Sequence, residues 1–122
     1  PVFLVTAGVA TDGALVEATR PLEPAGYVIE ATGSGNTDPR LLDACRAAIA
    51  DGIPVALASR TGAGAVGGAY AFPGGGAHWL AAGALPCGTL AGPKARVALA
   101  VGIGAGLRGA ALAAFMEGRE PA

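Results

Sequence analysis

The residues best suited to bind a ligand lie in one glycine-rich turn, whose sequence is Gly33-Ser34-Gly35-Asn36-Thr37-Asp38. The turn follows an apolar segment typical of a strand and precedes a segment with helical periodicity that begins at Pro39. At such a junction glycines let the backbone approach a ligand closely, while hydroxyl, amide and carboxylate groups bind its polar atoms. Ser34, Asn36 and Asp38 are therefore candidate ligand-binding residues.

Further polar residues end or follow the other predicted strands. Ligands of open parallel sheets bind outside the carboxyl ends of the strands, so we expect one functional edge. Some of these side chains also have a structural explanation, because Asp38 can simply cap the next helix and Thr32 and Ser34 can close the turn. Besides the three residues above, the candidates at this edge are Thr6, Glu30, Thr32, Ser59 and Arg60.

The sequence does not supply a complete catalytic apparatus. His78 is the single histidine and lies beside Trp79, where a packing role is the simpler interpretation. There is no GxSxG motif, and no cysteine or carboxylate stands beside His78 at metal-ligand spacing. We therefore expect no metal and no catalytic residue in this chain.

A cofactor is not expected either. Residues 62–67 formally match the GxGxxG fingerprint of dinucleotide-binding proteins. That fingerprint should open a helix directly and be followed by an acidic residue, yet no Asp or Glu occurs from Gly52 to Met116. A phosphate-binding P-loop is absent too, because Lys94 lacks both the upstream glycines and a following Ser or Thr.

Composition points to one domain with an unusually apolar surface. The 122 residues are 52% hydrophobic and 14% charged, so we expect a single domain over residues 1–122 that covers apolar surface with a partner. A net charge of −1 without basic clusters argues against nucleic acid as a partner.

The run 97–116 is interrupted by Arg108 and glycines, which favours a buried helix over a membrane span. Cys45 and Cys87 lack CxxC spacing and are expected to be buried thiols.

The periodicity predicts alternating strands and helices. We expect a flavodoxin-like or Rossmann-like three-layer α/β domain, with a mostly parallel sheet of about four strands flanked by helices. A chain that begins at Pro1, without methionine and directly on a core strand, is also expected to be cut from a longer protein. Strands are predicted at 2–6, 27–31 and 55–59, with an edge strand at 85–90; helices are predicted after Asp12, from Pro39 to Gly52, at 77–82 and at 92–107; a glycine-rich loop, either a lid or a crossing connection, is predicted at 60–76.

Three short motifs occur in a distinctive order along the chain. They are Gly33-Ser34-Gly35-Asn36, Ala58-Ser59-Arg60 and Gly92-Pro93-Lys94-Ala95-Arg96. In this order the chain resembles, over nearly its whole length, the C-terminal domain of the bacterial-type L-asparaginase family. Tyr70, Phe72 and the run 73–76 look like one variant of that family's long loop.

The resemblance implies an amidohydrolase that releases ammonia from L-asparagine, and sometimes from glutamine, without metal or cofactor. Its threonine nucleophiles and their Asp and Lys partners belong to an N-terminal domain, so this chain alone is expected to be inactive. The C-terminal domain is expected to form homo-oligomers, dimers or dimers of dimers, and to reach the amino side of the substrate in the neighbouring subunit. On this basis Asn36, Asp38, Ser34 and Tyr70 are expected to bind L-asparagine or L-aspartate. A cytoplasmic location is expected, with a periplasmic or secreted one left open.

Three departures from the family pattern affect these expectations. Asp38 stands where many members have Asn or Ser, and a carboxylate could pair directly with a substrate ammonium. Thr37 replaces a usual glycine. The long loop lacks the glutamate that some members send into the neighbouring pocket, and Tyr70 is a candidate for that space.

Two alternative functions stay open for this chain: a stand-alone module that binds a small ligand, and a module that serves only assembly.

Overall fold

The computed structural model describes residues 1–32, 36–59 and 75–118. Within these ranges, strands alternate with helices along most of the chain, as the periodicity predicts. In chain order the elements are β1 (Val2–Thr6), α1 (Ala14–Thr19), a 3-10 turn (Arg20–Leu22), β2 (Gly26–Ala31), α2 (Pro39–Ala50), β3 (Val55–Ser59), α3 (Gly76–Ala81), β4 (Leu85–Ala91), α4 (Gly92–Gly104) and α5 (Gly109–Glu117).

The strands form one parallel sheet in the order β1-β2-β3-β4. Successive residues of a strand point to opposite faces, and Val28 and Ile29 accordingly belong to two different apolar clusters. One cluster joins the sheet to α2 and α3, and the other joins it to α4 and α5. The predicted three-layer α/β arrangement with a parallel sheet is confirmed.

Local capping signals fix the start and the end of α2. Asp38 is the N-cap residue, its side chain accepts a hydrogen bond from the backbone N–H of Arg40, and Pro39 occupies the first turn. Gly52 follows the helix with a φ of +83°, a conformation that suits glycine. Between these ends, residues at helical spacing face the core: Leu41, Leu42, Cys45 and Ala48.

The prediction of a last helix over 92–107 holds as far as Gly104 but misses a further helix after it. Helix α4 ends at Gly104, and after a short turn α5 begins at Gly109. Gly106 and Gly109 have φ values of +83° and +56°, which break the helix at a point where apolar periodicity alone gives no signal. The turn lets α5 pack against both β4 and α4. Among the described residues, none of the helices has the length and apolarity needed to cross a membrane.

The two cysteines are buried free thiols, as predicted. Cys45 belongs to the cluster on the α2 face of the sheet and Cys87 to the cluster on the α4 face, so the sheet separates them. Burial raises the pKa of each thiol to about 12. Both thiols are therefore protonated at neutral pH.

The predicted loop at 60–76 lies outside the described residues except for its last two positions.

We expect Gly13→Ala to destabilise the fold by about 1 to 3 kcal/mol. Gly13 precedes α1, and a Cβ atom there would lie 2.7 Å from the Ala44 Cβ and 3.2 Å from the Arg40 carbonyl oxygen. Because both atoms belong to α2 and neither is the end of a flexible side chain, the two helices would have to separate. Urea unfolding of the variant and the wild type measures the difference.

Gly104→Ala is the matched control for this substitution. A Cβ atom at position 104 meets nothing within 4 Å. Since alanine is favoured over glycine in a helix by up to about 1 kcal/mol, this variant should be unchanged or slightly stabilised. Equal destabilisation of the two variants would contradict the close packing of α1 on α2.

Candidate functional site

The carboxyl ends of β1 and β2 bring most of the predicted polar residues to one edge of the sheet. They form two groups on opposite faces of the sheet. Thr32, Asn36 and Asp38 lie on the connection that leads into α2, and Thr6 and Glu30 lie on the side of α4. Ser59 ends β3 at the same edge and is buried.

The turn before α2 is closed by backbone hydrogen bonds between Thr32 and Asn36. The Asn36 N–H donates to the Thr32 carbonyl oxygen at 2.9 Å, and the Thr32 N–H donates to the Asn36 carbonyl oxygen at 3.2 Å. The Thr32 hydroxyl donates to the same Asn36 oxygen at 3.0 Å. The side-chain oxygen of Asn36 is buried, and among the described residues it accepts no hydrogen bond. An unused buried acceptor of this kind suits a ligand that donates a hydrogen bond.

A cleft of about 230 Å³ opens beside this turn. Small ligands typically occupy pockets of about 300 to 1,000 Å³, so the cleft resembles one wall of a site more than a complete pocket. The loop after β1 supplies its other side, where Ala10 has a φ of +60°, unusual for a residue with a side chain. The described residues that line the cleft are Gly8, Val9, Ala10, Thr32, Asn36, Thr37 and Asp38.

Arg40 holds the Asp38 carboxylate at the edge of the cleft. The Arg40 Nε–H donates to Asp38 Oδ1 at 3.1 Å, and an Nη2–H donates to Oδ2 at 2.9 Å. Together with the backbone N–H of Arg40, these bonds lower the pKa of Asp38 to about 2. Asp38 is therefore an ionised carboxylate at neutral pH, and its charge is balanced by a guanidinium beside it. The structural role of Asp38 as a helix cap and ion-pair partner is shown directly.

The second group forms on the other face of the sheet, at the start of α4. The Thr6 hydroxyl donates to the Glu30 carboxylate at 2.7 Å. The Glu30 side chain lies so close to Gly92 that a Cβ atom there would come within 2.1 to 2.3 Å of it. A carboxylate beside a helix N-terminus is stabilising. Any larger residue at position 92 would require the Glu30 side chain to move, which gives a physical reason for the glycine before Pro93.

The structure thus places some candidates together and leaves others untested. Asn36, Asp38 and Thr32 share the cleft, whereas Thr6 and Glu30 belong to the group on the α4 face. Among the described ranges, no group of three or more His, Cys, Asp or Glu side chains could hold a metal ion. The candidates that lie outside the described residues are Ser34, Arg60, Tyr70 and the motif at 62–67.

One contact of the turn is not among the sequence predictions. The indole Nε1–H of Trp79 donates to the Thr37 hydroxyl oxygen at 2.9 Å and so joins α3 to the cleft. A buried tryptophan usually finds an acceptor for this N–H. The sequence contains that general requirement, but no local signal identifies an acceptor 42 residues away.

Two comparisons with known proteins bear on this site. Residues 1–116 match the family model described as the glutaminase/asparaginase C-terminal domain. A protein of Deinococcus radiodurans named "Probable L-asparaginase" is 45% identical over 76 residues. The aligned part covers 62% of this chain and 23% of that relative, so this chain spans well under half of the relative's length.

We expect the Asp38 carboxyl group to titrate with a midpoint near 2, below its ordinary value of 3.8. Because its pKa is lowered in the folded state, ionised Asp38 stabilises the fold fully above pH of about 4, and this stabilisation is lost as the pH falls towards 2. The stability difference between the wild type and Asp38→Asn should shrink over the same interval. Carboxyl chemical shifts and urea unfolding at several pH values measure both effects.

Arg40→Gln and Arg46→Gln form a matched pair for this experiment. Arg46 makes an exposed ion pair with Asp43 on the same helix. Arg40→Gln should raise the Asp38 midpoint, because it removes the side-chain donors, whereas Arg46→Gln should leave it unchanged. A wild-type midpoint near 4 would show that the Arg40 pair does not form in solution.

Proposed function

The chain belongs to the glutaminase/asparaginase C-terminal domain family, and we propose that it forms the C-terminal part of an L-asparaginase-type amidohydrolase. In this proposal the complete protein hydrolyses L-asparagine to L-aspartate and ammonia. The chain contributes one wall of the substrate site and contacts between subunits. The observation that carries the proposal is the cleft lined by Asn36 and Asp38, of which the first has a buried oxygen without a donor among the described residues and the second an ionised carboxylate.

The acceptors of the cleft are complementary to a primary ammonium group. An ammonium has three N–H donors and no acceptor, and the α-amino group of asparagine is such a group at neutral pH. The Asn36 side-chain oxygen is buried and has no donor among the described residues. The Asp38 carboxylate adds negative charge at the same cleft. Both groups favour a donor with positive charge, as the amino side of the substrate requires.

Arg40 limits what Asp38 contributes to binding. Each carboxylate oxygen has two lone-pair sites, and Arg40 donors use three of the four. The remaining acceptor capacity lies mainly on Oδ2, which takes one bond from Arg40. A substrate ammonium would therefore share the carboxylate with the guanidinium, and the attraction would be weaker than that of an unpaired Asp.

The hydrolytic groups are proposed to lie outside this chain. The side chains at the cleft have partners that suit binding and orientation, since the Thr32 hydroxyl donates to the Asn36 carbonyl oxygen and the Asp38 carboxylate accepts from Arg40. The small volume of the cleft also fits one wall of a composite site. We place the threonine nucleophile, as the family resemblance implies, in another domain of the complete protein.

The outer face of α4 is the proposed contact between subunits. Val97 and Val101 are one helical turn apart and 62% and 56% exposed. The neighbouring position on that side, Ala100, is small and exposed. An apolar helix stripe with small residues lets a second helix approach closely.

We expect Asp38→Asn in the complete protein to raise the KM for L-asparagine about tenfold, the effect of losing one charge-assisted hydrogen bond. Asparagine is also a good helix cap, so the start of α2 should be retained. Ammonia release at a series of asparagine concentrations measures KM and kcat separately.

Asp43→Asn is the control for charge removal. Asp43 is exposed on α2 and pairs with Arg46 away from the cleft, so its loss should leave KM unchanged. An unchanged KM in Asp38→Asn would contradict the proposed role of Asp38. Ammonia release by the 122-residue chain alone would contradict the composite site.

We expect Val101→Asp to weaken self-association of the complete protein, because a carboxylate would be buried without a partner at the proposed interface. Leu22→Asp is the control, since Leu22 is 61% exposed but lies in the 3-10 turn after α1. Sedimentation velocity of the three proteins measures the dissociation. A monomeric wild type, or equal weakening by both substitutions, would show that α4 is not the contact.

A further inference from the structure

The indole of Trp79 fixes a donor close to the cleft. Trp79 is completely buried and belongs to the same apolar cluster as Leu41 and Leu57. Its Nε1–H donates to the Thr37 hydroxyl oxygen at 2.9 Å. Because the ring is packed in the core, the position of this N–H is set by the core and not by the turn.

Thr37 lies between the two side chains that the proposed site uses. Asn36 is bonded through its backbone to Thr32, and Asp38 caps the helix that begins one residue later. Both contacts are local in the chain, spanning four residues or fewer. The bond to Trp79 is of a different kind, because it ties the peptide between Asn36 and Asp38 to a distant element.

Removing the hydrogen-bond acceptor of a buried indole N–H is energetically unfavourable. An unpartnered donor in the core pays its desolvation cost without compensation. Any rotation of the turn that withdraws the Thr37 hydroxyl would leave the indole without this acceptor. The bond therefore restricts movement of residues 36–38, and groups held in place before binding lose less entropy when a ligand arrives.

We propose that Trp79 and Thr37 are positioning residues, whose hydrogen bond holds Asn36 and Asp38 in the arrangement that receives the amino side of the substrate. The inference rests on the proposed function, because the substrate gives the arrangement its effect. Trp79 does not line the cleft and acts through Thr37. Thr37 in turn acts through its two neighbours.

The test compares Trp79→Phe, Thr37→Val and the double variant in the complete protein. Each single substitution removes one partner of the bond, so we expect the KM for L-asparagine to rise about threefold to tenfold while kcat stays nearly constant. Thr37→Val also removes the bond from the Thr37 hydroxyl to the Asp38 carbonyl oxygen, so if Trp79 acts only through Thr37, the double variant should show no rise beyond that of Thr37→Val. Thr37→Ser keeps the hydroxyl and should restore the wild-type KM.

Thr19→Val is the matched control. The Thr19 hydroxyl oxygen lies 2.7 Å from the Tyr27 hydroxyl oxygen, a bond of similar type near the opposite end of β2. Its loss should lower thermal stability without raising KM. A rise in KM equal to that of Thr37→Val would assign the effect to general destabilisation and overturn the proposal.

Hydrogen exchange separates this inference from the proposed function. Amide exchange in residues 36–40, followed by mass spectrometry, should accelerate about tenfold in Thr37→Val and Trp79→Phe and remain unchanged in Thr19→Val. If the wild-type protein does not hydrolyse asparagine, the proposed function fails, yet exchange still decides whether the bond holds the turn. Unchanged exchange in Thr37→Val and Trp79→Phe, or additive effects of the two substitutions on KM, would overturn the positioning role.

Discussion

The Asp38 carboxylate accepts the backbone N–H of Arg40 and so provides a partner for one of the free donors at the start of α2. From that point the helix turns Leu41, Leu42 and Cys45 into the core on one face of the sheet. The same carboxylate borders the cleft in which the substrate is proposed to bind. The Asp38 carboxylate therefore both caps α2 and borders the proposed site. A substitution at position 38 acts on both, which is why the cap-retaining asparagine is more informative than alanine.

At the carboxyl edge of the sheet, the polar side chains have different roles on the two faces. On the α2 face the turn keeps its polar groups beside an open cleft. On the α4 face the Glu30 carboxylate accepts a hydrogen bond from the Thr6 hydroxyl and packs closely against Gly92. A ligand on this edge therefore meets acceptors on one side of the sheet and a closed contact on the other. The closed contact also fixes the start of α4, the helix whose outer face is proposed to meet a second subunit.

Local signals in the sequence predict most of the fold. Apolar runs place the strands, Asp38 and Pro39 place the start of α2, and Gly52 places its end, since each of these acts within a few residues. The turn between α4 and α5 escapes prediction, because an apolar run rich in alanine and glycine has the same pattern whether the helix continues or breaks. The site is predictable only in part. Asn36 and Asp38 follow from the motif, while the bond from Trp79 to Thr37 depends on how distant elements pack.

Both cysteines of the chain lie in the core, one on each side of the sheet. With pKa values of about 12 they stay protonated, and a protonated thiol is a poor nucleophile towards alkylating reagents and disulfides. The sheet between them also prevents an intramolecular disulfide in the folded state. The native cysteines of the folded domain therefore do not react with thiol reagents. A single cysteine introduced at an exposed position would be the only one to react with a maleimide probe under native conditions.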